Sequence, residues 1–243
     1  TAAVEKATGC ILHEDVVPGD AEGDCVLPAV EEARELLGKN PEVVLFDSNL
    51  LSGENLAGLE ERNVTCYAPT DSLPPELGPA WRENPAEPLP EDRWEELPLR
   101  GSRLSRQAFI YDQNLDCYWC PLGKALTFKG TRNARRKSGT VKERTYRCGE
   151  CQGCPLAGKC LSGKARGRTI IRLEGEALHE ALGRRMSSEE GQALYRVRSY
   201  IAETPFAFSK GVWGIRRFVY RGLELVRVEW RWLCTTYNLK KLM

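Results

Sequence analysis

With 243 residues and 42% hydrophobic content the chain can bury a real core, and its short, charge-broken apolar runs fall far below the roughly 20 consecutive apolar residues of a membrane helix, which excludes a spanning protein. A net charge of +1 hides segregation, because acids crowd the first hundred residues while Arg and Lys dominate from about Gly101 onward, so the second half is expected to meet an anionic partner. No charged and then apolar leader opens the chain, and its ten cysteines are unevenly spread, so it reads as a cytoplasmic protein and not as a secreted disulfide scaffold.

Thr1 to Val17 reads as two short strands around a turn, AAVEK and CILHEDVV, with His13 a strand residue and not a ligand. Asp24 is placed to cap a helix carrying Leu27, Val30, Ala33 and Leu37 on one face, and Gly38 is its stop. The apolar run Val43 to Phe46 suits a central buried strand ending at Asp47; a helix capped by Ser52 and a strand in VTCYAP complete a βαβ unit. Ligands of open α/β sheets gather at the carboxyl ends of strands, where Asp47 falls, although a turn or capping aspartate fits the same place.

Eight of the fourteen prolines lie between Pro69 and Pro98, among acids and without periodicity, as in a linker or surface loop away from DNA. QAFIYDQNLDCYWCP then reads as a hairpin turning at Gln113 to Asn114 and delivering Cys120 to a tight Pro121 turn. Six cysteines follow in quick succession, at 117, 120, 148, 151, 154 and 160. Thiolates two residues apart can reach one tetrahedral ion, so a zinc site is expected from Cys120, Cys148, Cys151 and one of Cys154 or Cys160, with Cys117 outside it. An iron and sulfur cluster and unligated loop cysteines are the alternatives. Between Cys120 and Cys148, Lys124, Lys129, Arg132, Arg135, Arg136, Lys137, Lys142, Arg144 and Arg147 meet one acid, Glu143, a composition suited to gripping phosphate or to a solvated loop.

From Thr169 a strand, TIIRLEG, leads into a helix over 176–183. A second helix, Met186 to Ile201, carries Ser187 and Glu190 as a capping box. The last helix starts at Leu223 and turns Leu223, Val226, Trp230, Leu233 and Tyr237 to a core. The run from Tyr195 to Arg221 sets one carboxylate, Glu203, among Arg196, Arg198, Lys210, Arg216, Arg217 and Arg221, with aromatics between. Such a surface suits a phosphate backbone if a cation bridges the acid to it; a Glu203–Arg pair one helical turn apart is the simpler reading.

The stretches VVLFD with SGENL, FIYDQNLDCYWCPLGKAL, YRCGECQGCPLAGKC, Y-x-x-R-x-x-x-x-E with Lys210 seven residues on, and IRRFVYRGLELVRVEW with NLKKL together resemble the C-terminal part of bacterial insertion-sequence transposases of the DDE type that carry a cysteine-rich insertion. The resemblance implies an α/β, RNase H-like core, a mixed sheet with flanking helices, interrupted by a small cysteine-rich metal-binding insertion. Its parts would be 1–110, an incomplete core with a proline-rich loop at 69–100; 111–168, the basic insertion; and 169–243, the rest of the core. It implies Asp47 and Glu203 as catalytic, metal-holding carboxylates, and Tyr195, Arg198, Lys210, Arg216 and Arg217 as DNA contacts. The implied cofactors are two Mg²⁺ or Mn²⁺ ions for cleavage and strand transfer and a structural Zn²⁺ on four of Cys120, Cys148, Cys151, Cys154 and Cys160.

The implied partner is double-stranded DNA, at element ends and target, bound by a homodimer in the bacterial nucleoid. Here Ser48, Asn49 and Leu50 replace the family's usual Ala-Gly-Tyr, and Thr204, Pro205 and Ala207 stand where Pro, an apolar residue and Gly are usual. No residue matches the first catalytic aspartate; Asp15, Asp20 and Asp24 fit a loop. Readings from other classes are a zinc-stapled DNA-binding module that does not cut, and a nuclease of the same fold.

Overall fold

Two stretches of chain, Thr1–Thr70 and Leu182–Met243, fold together, and the intervening Asp71–Ala181 forms a second unit, in a computed structural model that describes residues 1–18, 22–136, 139–163 and 165–243. Asp20 and Lys137 lie outside the described residues. Among the described residues no helix is long and apolar enough to cross a membrane.

The chain begins with an antiparallel hairpin, β1 (Ala2–Val4) and β2 (Ile11–Glu14). His13 is a buried strand residue whose Nδ1 meets a Glu32 oxygen at 2.8 Å. A 3-10 turn, Glu22–Cys25, precedes α1 (Val26–Leu37), so Asp24 sits within the turn, the capping position falls to Cys25, and no side chain caps the helix. The buried stripe is Val26, Val30 and Ala33, and Gly38 ends the helix in the left-handed conformation, as its sequence position predicts. The parallel strands β3 (Val43–Leu45) and β4 (Thr65–Tyr67) flank α2 (Gly53–Glu61), which Ser52 caps through the Asn55 amide at 3.0 Å, completing the expected βαβ unit.

In the second unit, the proline-rich stretch has little regular structure beyond 3-10 turns, but it is not a loose loop: Ala80, Leu89 and Leu97 are buried in the unit's core. Prolines lack amide donors and leave carbonyls in need of partners. Arg82 donates to the carbonyls of Ala80, Pro85, Glu87 and Cys120, and Arg93 to that of Pro79.

After a two-residue ladder, β5 (Leu99–Arg100) with β6 (Arg103–Leu104), comes an antiparallel sheet. It comprises β7 (Ile110–Asp112), β8 (Cys117–Trp119), β9 (Ala125–Arg136), β10 (Gly139–Arg147) and β11 (Thr169–Leu173), in the order β11-β10-β9-β8-β7. Its tyrosines 111, 118 and 146 pack against one another, and Asp116 accepts hydrogen bonds from the hydroxyls of Tyr111 and Tyr146 while pairing with Arg144. A short helix, α3 (Ala157–Cys160), lies between β10 and β11.

The chain re-enters the first unit within α4 (Glu176–Ser187), which runs to Ser187 and not only to Gly183. The cap of α5 (Glu189–Gly211) is Ser188, whose hydroxyl accepts the Gly191 amide at 3.0 Å, so the box expected at Ser187 and Glu190 is displaced by one residue. This helix continues through Pro205 to Gly211 instead of ending at Ile201. An interior proline costs about 3 kcal/mol, and the packing of Phe206 and Phe208 beyond it offsets that cost.

In α6 (Leu223–Leu242) Trp230, Cys234 and Tyr237 are buried with Ile11, and Phe206 stacks on Trp230 at 5.2 Å between centroids; Leu223, expected inward, is exposed. Asn238 completes the contact: its oxygen accepts the Ile11 amide and its nitrogen donates to the Ile11 carbonyl, both at 2.8 Å. These elements form an α/β arrangement of antiparallel and parallel strand pairs with flanking helices.

Replacing Asn238 by Ala strands both Ile11 backbone groups, and a loss of about 2–4 kcal/mol is expected in denaturant unfolding, against less than about 0.5 kcal/mol for exposed Leu239→Ala. A pH test applies to Glu176. Burial raises its carboxyl pKa, but the Arg106 hydrogen bond and charge outweigh burial and hold it below the ordinary value. The pair's stabilisation is therefore present above the unfolded pKa of about 4.3 and is lost as pH falls through the lower folded value. Glu176→Gln is expected to lower the denaturant midpoint at pH 7 and to flatten its fall between about pH 5 and pH 3.

Candidate functional site

Asp47 lies two residues beyond the end of β3, after Phe46, and caps the 3-10 turn Ser48–Leu50, with Oδ1 accepting the Ser48 amide at 2.6 Å and the Ser48 hydroxyl at 3.2 Å. This is the capping role that the sequence left open, and it occupies one carboxylate oxygen. The other, Oδ2, faces Arg198 Nη2 at 3.5 Å. Tyr195, three residues before Arg198 and so on the same face of α5, donates its hydroxyl to the Phe46 carbonyl at 3.4 Å, and the Arg198 guanidinium lies 5.9 Å from the Tyr195 ring. Burial, with Asp47 adding to it, raises the Tyr195 pKa, so the hydroxyl stays a donor. Asp47, Tyr195 and Arg198 thus form one constellation at the carboxyl end of a parallel strand.

Glu203 is on the same helix, five residues past Arg198, which sets it about 7.5 Å further along the axis and about 140° around it. It is exposed and, among the described residues, has no ion pair and no hydrogen bond to Asp47. The simpler sequence reading, a Glu203–Arg pair one turn apart, is therefore not what the chain forms. Lys210 ends α5, and Arg216 and Arg217 lie in the connection to α6; all three are exposed and unpaired among the described residues.

The basic hairpin of β9 and β10 is less free. Arg132 pairs with buried Glu143, Lys142 with Glu174, and Arg144 with Asp116, while Lys129, Arg135 and Arg147 have no carboxylate among the described residues.

Five of the six clustered cysteines, Cys120, Cys148, Cys151, Cys154 and Cys160, line one pocket with Leu104, Phe109, Leu156 and Arg168. Cys117 is elsewhere, on β8 beside Asp112 and Asp116. Burial pushes the Cys148 and Cys160 thiols up to about 11, and raises Cys120 as well. Among the described residues no group of three or more His, Cys, Asp or Glu side chains is arranged to hold a metal ion, so the expected thiolate set is gathered round a pocket but not drawn into a ligand shell.

Two residues bonded to the backbone of these cysteines escaped sequence reasoning. Arg82 and Arg168 donate to the carbonyls of Cys120 and Cys160, at 2.7 and 2.8 Å. Nothing in the residues around Arg82 distinguishes it from the other charged residues of the proline-rich stretch.

Residues 119–243, just over half of the chain, match the family model described as a transposase DDE domain. No curated protein and no solved structure matches the chain.

The Asp47–Arg198 pair is long and half exposed, and pairs of that kind contribute about 0–1 kcal/mol. Arg198→Ala is therefore expected to shift the unfolding free energy by less than about 1 kcal/mol in chemical denaturation; a loss of several kcal/mol would make Arg198 a structural residue and not a free binding group.

Proposed function

The chain belongs to the transposase DDE-domain family, and we propose that it contributes Asp47 and Glu203 to a site that cleaves DNA and transfers the freed strand. The observation that carries this reading is the placement of Asp47: at the end of a parallel strand, with Tyr195 and Arg198 from the helix that also bears Glu203. In such a reaction the oxygen of water, and then of a 3′-hydroxyl, attacks phosphorus in line with the departing oxygen. The chain's own groups hold the phosphates and place the carboxylates.

Asp47 and Glu203 offer oxygen donors that suit a hard cation. Glu203 has no protein partner among the described residues, and Oδ2 of Asp47 has a single distant one. They are the residues that would hold Mg²⁺ or Mn²⁺, which supplies an activated oxygen nucleophile and neutralises the leaving oxygen when bound. Arg198 then exchanges the Asp47 carboxylate for a DNA phosphate. Tyr195 keeps α5 seated on the Phe46 carbonyl, and Lys210, Arg216 and Arg217 hold the duplex backbone without reading its sequence.

A second reading, a module that holds DNA without cutting it, is favoured by the surroundings of Asp47: its Oδ2 faces an arginine, and among the described residues it belongs to no group of three or more side chains placed to hold a metal ion. Nicking of supercoiled plasmid in Mg²⁺ and DNA binding by the same protein separate the two. On the catalytic reading, Asp47→Ala and Glu203→Ala each lower nicking on the order of 10³-fold and leave binding intact. Arg216→Ala weakens binding for all sequences and lowers the salt slope by about 1. Nicking that survives both carboxylate changes removes the assignment, and binding without nicking in the unaltered protein establishes the second reading.

A further inference from the structure

The connection between α5 and α6, residues 212–222, holds apolar side chains out in water. Val219 is 82% exposed and Tyr220 58%. Arg216, Arg217 and Arg221 flank them, exposed and without an ion pair among the described residues. Single exposed apolar residues are ordinary, but here the backbone is built to keep two of them outside. Both oxygens of Glu229 accept the Val219 amide, at 3.0 and 2.9 Å, and one of them also accepts the Tyr220 amide at 3.1 Å. Phe218, next to them, meets buried Trp230 edge-on with ring centroids 6.4 Å apart, which ties the turn to α6. At the other end of the connection the Ile215 amide donates to the Ser209 carbonyl at 3.0 Å.

A tip pinned in this way has little conformational freedom left to lose when a ligand meets it. Its chemistry asks for a ligand that carries negative charge and, close beside it, apolar surface. Guanidinium groups at three of the six positions 216–221 disfavour the dry centre of a protein–protein interface, where unpaired charge is costly. A DNA strand meets both demands, because each phosphate neighbours a base with a flat apolar face. In a paired duplex those faces are stacked and out of reach. A base without a partner is the one an aromatic ring can take, since drawing it out of the helix costs least.

We propose that Tyr220 stacks on an unpaired base of DNA, with Val219 filling the space that the base leaves in the duplex and Arg216, Arg217 and Arg221 holding neighbouring phosphates. This rests on the DNA binding proposed above and adds a preference to it. Backbone contacts alone do not tell a paired base from an unpaired one, whereas a stacking ring does, and it does so for any sequence because every base has a face to offer.

Fluorescence anisotropy of the full chain tests it, in EDTA so that no strand is cut. Two duplexes of one sequence are compared, one fully paired and one carrying a single extra 2-aminopurine. The bulged duplex is expected to bind about tenfold more tightly, the gain of one stacked base, and its 2-aminopurine emission to fall. Tyr220→Ala is expected to remove both the preference and the quenching, and Tyr220→Trp to keep them. Should Tyr220→Ala fail to fold, the emission with the unaltered protein decides: quenching supports the proposal, and unchanged or raised emission overturns it. Equal affinity for the two duplexes overturns it while leaving the carboxylate reading in place; binding to neither duplex removes the DNA reading as well. A preference that survives Tyr220→Ala overturns it, as does Tyr220-dependent binding to phosphatidylserine vesicles without any preference between the duplexes.

Discussion

The amide of Asn238 pairs both backbone groups of Ile11, and the candidate catalytic surface depends on that clamp through a short series of contacts. It fixes α6 against β2 and sets Trp230 where Phe206 can stack on it. Because Phe206 belongs to α5, the same stack fixes that helix, whose opposite end brings Tyr195 to the Phe46 carbonyl and Arg198 to Asp47. A side-chain amide suits this position because it presents one donor and one acceptor in a single plane, matching the peptide edge that a strand offers to a neighbour. Shorter or singly functional side chains would leave one buried backbone group without a partner.

The second unit solves a different problem. Its proline-rich entry is short of amide donors, and arginine, with five N–H groups in a rigid fork, is the side chain best able to answer several carbonyls at once. Arg82 binds four of them and Arg93 holds the neighbouring Pro79. The side chain that ties down the proline-rich stretch thereby also brings positive charge beside the Cys120 backbone. On the sheet some of the basic residues are neutralised from within, Arg144 by Asp116 and Arg172 by Glu180, so the density of Arg and Lys in its strands overstates the charge it presents to a partner.

Much of this was legible in the sequence where a local rule governed the outcome. Ser52 caps α2, Gly38 stops α1, and a strand forms at Val43–Leu45, because capping, left-handed termination and short apolar runs act over a few residues; the strand pairs only with β4 and exposes Val43, so it is not the central buried strand that the apolar run suggested. Tertiary contacts decided the rest. Pro205 signals a helix end, but Phe206 and Phe208 bury themselves only if the helix goes on. The proline-rich stretch gives no periodic signal because its core residues, Ala80, Leu89 and Leu97, are spaced by turns and not by a helix or a strand. Of the candidate site, family resemblance singled out Asp47, Tyr195 and Arg198 one by one; that they meet, and that Ser48 and Arg198 occupy the Asp47 carboxylate, depends on tertiary packing and rotamers that no motif encodes.

The first unit is assembled from two pieces of chain with the whole of the second unit between them, and this has a kinetic consequence. The contacts of Thr1 with Trp230 and of Ile11 with Asn238 close very long loops, while the β7–β8 and β9–β10 hairpins are local. Local pairings form early and distant ones late, since loop-closure entropy must be met before a distant contact can repay it. Once folded, the inserted unit replaces a long random coil by a compact body, which shortens the search that joins α6 to β2. Early folding of the cysteine-bearing unit is therefore expected to shorten the loop that the first unit must close.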